Sequence, residues 1–182
     1  LDAGRELRRE EVDLVGLLVD TVADARAAGP EHDWQLDLAV LEPPAGATPQ
    51  EAEDFLPEPP LVIGDEARLR QVIVNLLANA RVHTPAGSHV TTTLTREGDA
   101  LMVRIHDDGP GIAPDVHDRL FERFARGDSS RERRTGSTGL GMSIAQAIVQ
   151  SHGGSIDVDS STAPEDHGTT FTVRLPAAVV EE

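Results

Sequence analysis

The chain has 182 residues, 16 basic against 32 acidic, a net charge of -16 and a sequence pI near 4.7. That length suits one domain with a sizeable core, and that charge makes nucleic acid and anionic membrane surfaces poor partners. Every basic residue is Arg and there is no Cys, which excludes lysine Schiff bases, P-loops, disulfides, thiol catalysis and thiolate metal sites. No apolar run approaches the roughly 20 residues that span a bilayer, and the charged start LDAGRELRREE lacks a signal-peptide core. A start at Leu rather than Met is expected of a segment cut from a longer protein.

The first twelve residues carry no apolar stripe and read as linker. Leu14, Leu17, Leu18, Thr21, Val22 and Ala25 then recur at helical spacing, predicting a helix over about 11–28 that Ala28-Gly29-Pro30 stops. Leu36, Leu38 and Val40 alternate with Gln35, Asp37 and Ala39 as in a half-buried strand. The Pro-rich, acidic stretch 42–60 reads as a solvated loop. Leu61-Val62-Ile63 resumes the sheet, and Gly64-Asp65 supplies a turn and N-cap for a helix to about Val82, with Leu69, Val72, Ile73, Leu76, Leu77 and Ala80 on its apolar face. Val90, Thr92 and Leu94, then Leu101, Val103 and Ile105, predict a hairpin turning at Glu97-Gly98-Asp99. Residues 109–139 are irregular, apart from a short amphipathic piece around 116–124. A helix over 141–152 shows Ile144, Ala147 and Ile148 on one side. Two alternating strands, through Ile156 and Val158 and through Phe171, Val173 and Leu175, precede the tail 177–182. Strands with one apolar face argue for a two-layer α/β sandwich, an antiparallel or mixed sheet with helices on one side.

Four features carry chemistry. Counting by twos from Leu101 lands on Asp107, which puts a carboxylate on the apolar face just before Asp108-Gly109-Pro110-Gly111-Ile112. Asn75 and Asn79 lie one above the other beside the apolar face of the 65–82 helix, where amide oxygens suit a hard cation such as Mg2+. Gly136-Ser137-Thr138-Gly139-Leu140-Gly141 runs into a helix start, where backbone amides and the helix dipole favour an anion. Before it, Arg119, Arg123, Arg126, Arg131, Arg133 and Arg134 face only Glu122, Asp128 and Glu132, a net +3 that reads as a lid over a polyanion. Taken singly, each has a plainer counterpart: a solvated Asp-Gly turn, structural asparagines, an ordinary glycine-rich turn and a solvated charged loop.

In this order the four features resemble the ATP-binding catalytic domain of bacterial sensor histidine kinases, within the Bergerat-fold superfamily shared with type II topoisomerases, Hsp90 chaperones and MutL. The resemblance runs from about Asp13 to Pro176. It rests on 65–80 for the family's N box, 107–112 for its first glycine box, Phe121-Glu122-Arg123-Phe124 for its F box and 136–141 for its second glycine box. It implies a mixed, mainly antiparallel sheet with helices on one face and a flexible ATP lid over about 109–139. It implies that Asp107 accepts the adenine amino group, with Gly109, Gly111 and Ile112 close to the base. Asn79 would ligate Mg2+, Asn75 would line the same face, and Arg126 would approach the γ-phosphate. Thr138, Gly139, Leu140 and Gly141 would reach the phosphates, and Thr169 would share the nucleotide site. His83 either takes the place of the family's aromatic ring beside adenine or is simply a helix C-terminal residue before Thr84-Pro85.

Two departures stand out. Where the family often has a phosphate-contacting Lys this chain has Val82, with Arg81 about 100° away around the helix. None of the chain's histidines sits in the family's phosphoacceptor box. The resemblance therefore implies transfer from Mg-ATP to a histidine on a separate helical hairpin, of which residues 1–12 would be the end and linker. It further implies a response-regulator receiver domain downstream, a monomeric fragment of a homodimeric parent, and a cytoplasmic domain of a membrane-anchored sensor. In the ATP-hydrolysing relatives a Glu in the place of Asn75 activates water, and an amide cannot take that proton. An anti-sigma-type serine kinase and a degenerate nucleotide-binding or docking module are the alternatives.

Overall fold

The computed structural model describes residues 7–122 and 141–179. A five-stranded sheet carries β2 (Asp33–Asp37), β4 (His89–Glu97), β5 (Ala100–Asp107), β7 (Asp166–Pro176) and β6 (Ser155–Ala163) in that spatial order. Among the described residues of this sheet β2 and β4 run parallel, and the other pairings are antiparallel. Along β4, β5 and β7 the residues Val90, Leu94, Leu101, Val103, Ile105, Phe171, Val173 and Leu175 are buried on one face. Helices α1 (Leu14–Ala28), α3 (Glu66–His83) and α5 (Gly141–Ser151) cover that face. Thr91, Thr93, Arg104, His106, Thr172 and Arg174 point the other way and remain partly or fully exposed. The two-layer sandwich is as expected, because alternation with period two leaves only one face to cover.

Several boundaries differ from the expectation, each for a local reason. The first helix starts at Leu14 rather than 11, capped by the Asp13 carboxylate on the Val15 N–H at 2.9 Å. Of residues 1–12, expected as linker, the last three join Asp13 in β1 (Glu10–Asp13), which pairs antiparallel with β3 (Leu61–Gly64). The lone apolar residue of that segment, Val12, is buried, and one side chain is too little to announce a strand. This two-stranded ribbon stands apart from the main sheet, so Leu61–Ile63 does not resume it. β2 stops at Asp37, and Val40 reaches the core from a 3-10 turn over Ala39–Leu41. Trp34 is the buried anchor of β2, its indole N–H donating to the Gly29 carbonyl at 2.7 Å. The 42–60 stretch holds one exposed helical turn, α2 (Pro49–Glu53), closed by a reciprocal Thr48–Glu51 capping box. The short piece near 116 is α4 (Pro114–His117), which starts where Pro114 presets the first helical φ. On α5 the buried side chains are Met142, Ala145, Ile148 and Val149, whereas Ile144 and Ala147 are exposed.

The Asp65 carboxylate caps α3 by accepting the Arg68 N–H at 3.2 Å. Asp65→Ala is therefore expected to lower the unfolding free energy by about 1 kcal/mol. Chemical denaturation checks this, and a midpoint unchanged from wild type would contradict the cap's role.

Candidate functional site

The site is built where the carboxyl end of β5 meets one side of α3. Asp107 ends β5 on the core face, directly across from Val90 of β4 and Thr169 of β7. Both Asp107 and Thr169 are buried, at 6% and 5% exposure, which is unusual for an acid unless something answers it. One Asp107 oxygen accepts the Gly109 N–H at 3.0 Å. Burial pushes the Asp107 carboxyl above the ordinary carboxylate range, and the Gly109 N–H with the nearby His106 and His83 rings offsets this only in part.

The first glycine box wraps tightly over this acid. Gly111 has φ +78°, and a Cβ there would collide with the Ser161 carbonyl oxygen. At Gly109 a Cβ would strike the Thr84 methyl and come within 2.8 Å of Asp107 Oδ1. The Ile112 N–H donates to Ser160 Oγ at 2.8 Å, and His167 Nδ1 lies 2.7 Å from the Gly109 carbonyl. Thr84 backs the turn from below: its hydroxyl donates to the Ala80 carbonyl at 2.7 Å and accepts from His32 Nε2 at 2.9 Å. The next residue, Asp108, turns outward to His89, which meets it through both its backbone N–H and its ring at 2.8 Å. That pairing raises the His89 pKa. Despite partial burial pushing the other way, it also holds the Asp108 carboxyl below its ordinary range.

Asn75 and Asn79 are half-buried on the strip of α3 beside its buried stripe, as their spacing predicts. The Asn75 amide donates to the Gly141 carbonyl at 3.5 Å, which joins the N box to the first residue of α5. Among the described residues the Asn79 side chain makes no hydrogen bond. Its neutral amide oxygen fits Mg2+, which takes few protein ligands and fills its octahedron with water and phosphate oxygens. No group of three His, Cys, Asp or Glu suited to a metal occurs among the described residues. His83 is exposed at the end of α3. The Arg81 stem lies over Gly29, on the side of α3 facing α1, so it does not stand in for the missing Lys. Phe121 of the F box packs against the core, whereas Arg126, Thr138, Gly139 and Leu140 lie outside the described residues.

The structure thus gathers Asp107, Gly109, Gly111, Ile112 and Thr169 around the glycine turn and the β5–β7–β6 strands, and joins Asn75 to Gly141, with Asn79 one helical turn further along α3. Sequence reasoning missed Thr84, Ser160 and His167, which hold the glycine turn. Thr84 was visible only as a helix stop, and nothing local marks Ser160.

A family profile described as "Histidine kinase-, DNA gyrase B-, and HSP90-like ATPase" matches residues 64–179. The chain belongs to this family. Within it the chain is similar to sensor kinases. Over 176 residues the chain is 48% identical to a "Probable sensor histidine kinase TcrY" of Mycobacterium tuberculosis, covering 97% of this chain and 33% of that protein. The solved "Mycobacterial sensor histidine kinase MprB" superposes with a TM-score of 0.72 at 26% identity, covering 93% of this chain and 97% of that one. Full-length ShkA, solved in complex with AMPPNP, matches with a TM-score of 0.74 at 26% identity, over 99% of this chain and 33% of that one. The domain is thus a histidine-kinase-like ATPase domain of the kind that sensor kinases carry. It spans about a third of the length of the curated relatives it matches. No helix among its described residues is long and apolar enough to cross a membrane.

Proposed function

We propose that this kinase domain binds Mg-ATP and passes the γ-phosphoryl group to a histidine on a separate helical hairpin of a longer, homodimeric sensor kinase. Residues 1–12 link the two, with 13–176 as the catalytic unit and 177–182 as a tail. A receiver domain of a response regulator takes the phosphoryl group next, and the domain works on the cytoplasmic side of a membrane-anchored parent.

The observation that supports this best is the unpaired oxygen of Asp107, an acid only 6% exposed. Its second carboxylate oxygen has no partner among the described residues, so an amino group on a planar base answers both its charge and its lone pairs. The base then lies between the glycine turn and the end of α3, near His83. From there the phosphates run along the α3 strip toward Gly141. Asn79 is the residue that would hold Mg2+, which would supply neutralisation of phosphate charge. Asn75, tied to Gly141, keeps the start of α5 against the phosphates. By the resemblance, Arg126 draws charge from the γ-phosphate, and Thr138, Gly139 and Leu140 supply backbone donors. Phosphoryl transfer needs mainly such positioning and charge neutralisation.

With an amide at position 75, water is left without a general base, which favours transfer over hydrolysis. Asn75→Glu is therefore expected to raise phosphate release from ATP. The assay is steady-state release alongside nucleotide binding, and unchanged release with binding retained would contradict the assignment. Val82 in the Lys position favours one second reading, a nucleotide-docking module without transfer. Adding the parent's hairpin and following γ-labelled phosphate onto its histidine separates the two: label on the hairpin supports the kinase, and binding without label supports the docking module.

A further inference from the structure

One row of side chains crosses the sheet at the base end of the site: Val90, Asp107, Thr169 and Ser160 are consecutive cross-strand partners. Directly opposed residues on neighbouring strands share a face. Ser160 ends this row on the edge strand β6, half-buried, and its hydroxyl has three neighbours. They are the Ile112 N–H at 2.8 Å, the Gly168 carbonyl at 3.0 Å and the Thr169 hydroxyl at 2.9 Å.

A hydroxyl has one proton to give and two lone pairs to receive. The Ile112 N–H can only donate, and the Gly168 carbonyl can only accept. The Ser160 proton therefore goes to Gly168, and the Thr169 proton goes to Ser160. This leaves Thr169 Oγ1 with lone pairs alone, on a buried residue that is the direct cross-strand partner of Asp107. Two adjacent acceptors complement an exocyclic primary amine, which carries two N–H bonds on one atom. They oppose a carbonyl in the same place.

We propose that Ser160 is a positioning residue for base selection: by taking the Thr169 proton it fixes that hydroxyl as an acceptor, so the site favours a 6-amino purine over a 6-oxo purine. The inference rests on the nucleotide reading above and adds a residue that acts without touching the base. The same hydroxyl ties the first glycine box to the β6–β7 hairpin through Ile112, so selection and the shape of the turn share one anchor. Without Ser160 the Thr169 hydroxyl is free to rotate and donate to a 6-oxo group, which shrinks the discrimination that Asp107 still supplies.

The test compares ATP and inosine triphosphate as competitors of a fluorescent ATP analogue. The proteins are wild type, Ser160→Ala, Ser160→Thr, Thr169→Val and the Thr169→Val, Ser160→Ala double variant. Loss of one directional hydrogen bond predicts that Ser160→Ala lowers the ATP-to-ITP affinity ratio by about three- to tenfold. Ser160→Thr keeps the hydroxyl and retains the ratio. In the Thr169→Val background, adding Ser160→Ala leaves the ratio unchanged, because no Thr169 proton remains to be directed. Each ratio is measured on a single preparation, so a reduced folded fraction cancels. Equal weakening of both nucleotides in Ser160→Ala, or the same ratio loss in the Thr169→Val background, would overturn the proposal while sparing the nucleotide reading. A folded wild type that binds neither triphosphate overturns that reading, and this inference with it.

Discussion

Replacing Asp107 by Asn is expected to weaken ATP binding by about a hundredfold, the scale of a hydrogen bond to a buried charged group. The carboxylate offers one oxygen to the Gly109 N–H and the other to the ligand. An amide has a single acceptor oxygen, so it must give up one of the two. The same substitution should leave the unliganded fold as stable or make it more stable, because the Asp107 pKa is raised by burial. For an acid whose folded pKa lies above its unfolded one, the stabilising contribution is full below the unfolded value. It is lost as pH rises through the folded value. Near neutral pH the ionised Asp107 therefore costs stability, and Asn removes that cost. Nucleotide displacement and thermal unfolding on the same two proteins check both halves. ATP affinity in the wild type should also fall on acidification at a higher pH than an ordinary carboxylate would cause. A variant that binds like wild type would exclude Asp107 as the base acceptor.

Asn79→Ala is expected to lower phosphoryl transfer to the parent's hairpin by about a hundredfold or more, since even residues that only orient metal ligands are worth ten- to a hundredfold. Asn79 makes no hydrogen bond among the described residues, and Ala is the better helix former by about 0.5 kcal/mol. The unliganded variant should therefore unfold no earlier than wild type. Its defect should be a lost Mg2+ dependence of ATP binding, which separates a ligand role from a packing role. Transfer at the wild-type rate, or a fall in stability matching the fall in rate, would contradict the assignment.

Asp107 was legible in the sequence because period-two alternation along β5 is strict enough to carry an acid onto the core face. The Asn75–Asn79 strip was legible for the same reason on α3, where six buried apolar residues fix the helix phase. The parts that escaped have no period to read. β1 shows one buried side chain in four residues, and the start of α5 presents Ile144 to solvent while the smaller Ala145 fills the core. Ser160 and Thr84 act through tertiary register, each a small polar residue whose partners lie 48 and 52 positions away. The glycine turn over Asp107 was expected from its composition, but what holds it down comes from β6, β7 and α3, which only folding brings together.

The central claim is that the end of this sandwich carrying Asp107 and Asn79 is a Mg-ATP site. Calorimetric titration of ATP into the domain, with and without Mg2+, tests it most directly. A single site with a dissociation constant below about 1 mM, tightened by Mg2+, is the predicted result. A folded domain that gives no binding heat at millimolar ATP at two temperatures, with or without Mg2+, would contradict it.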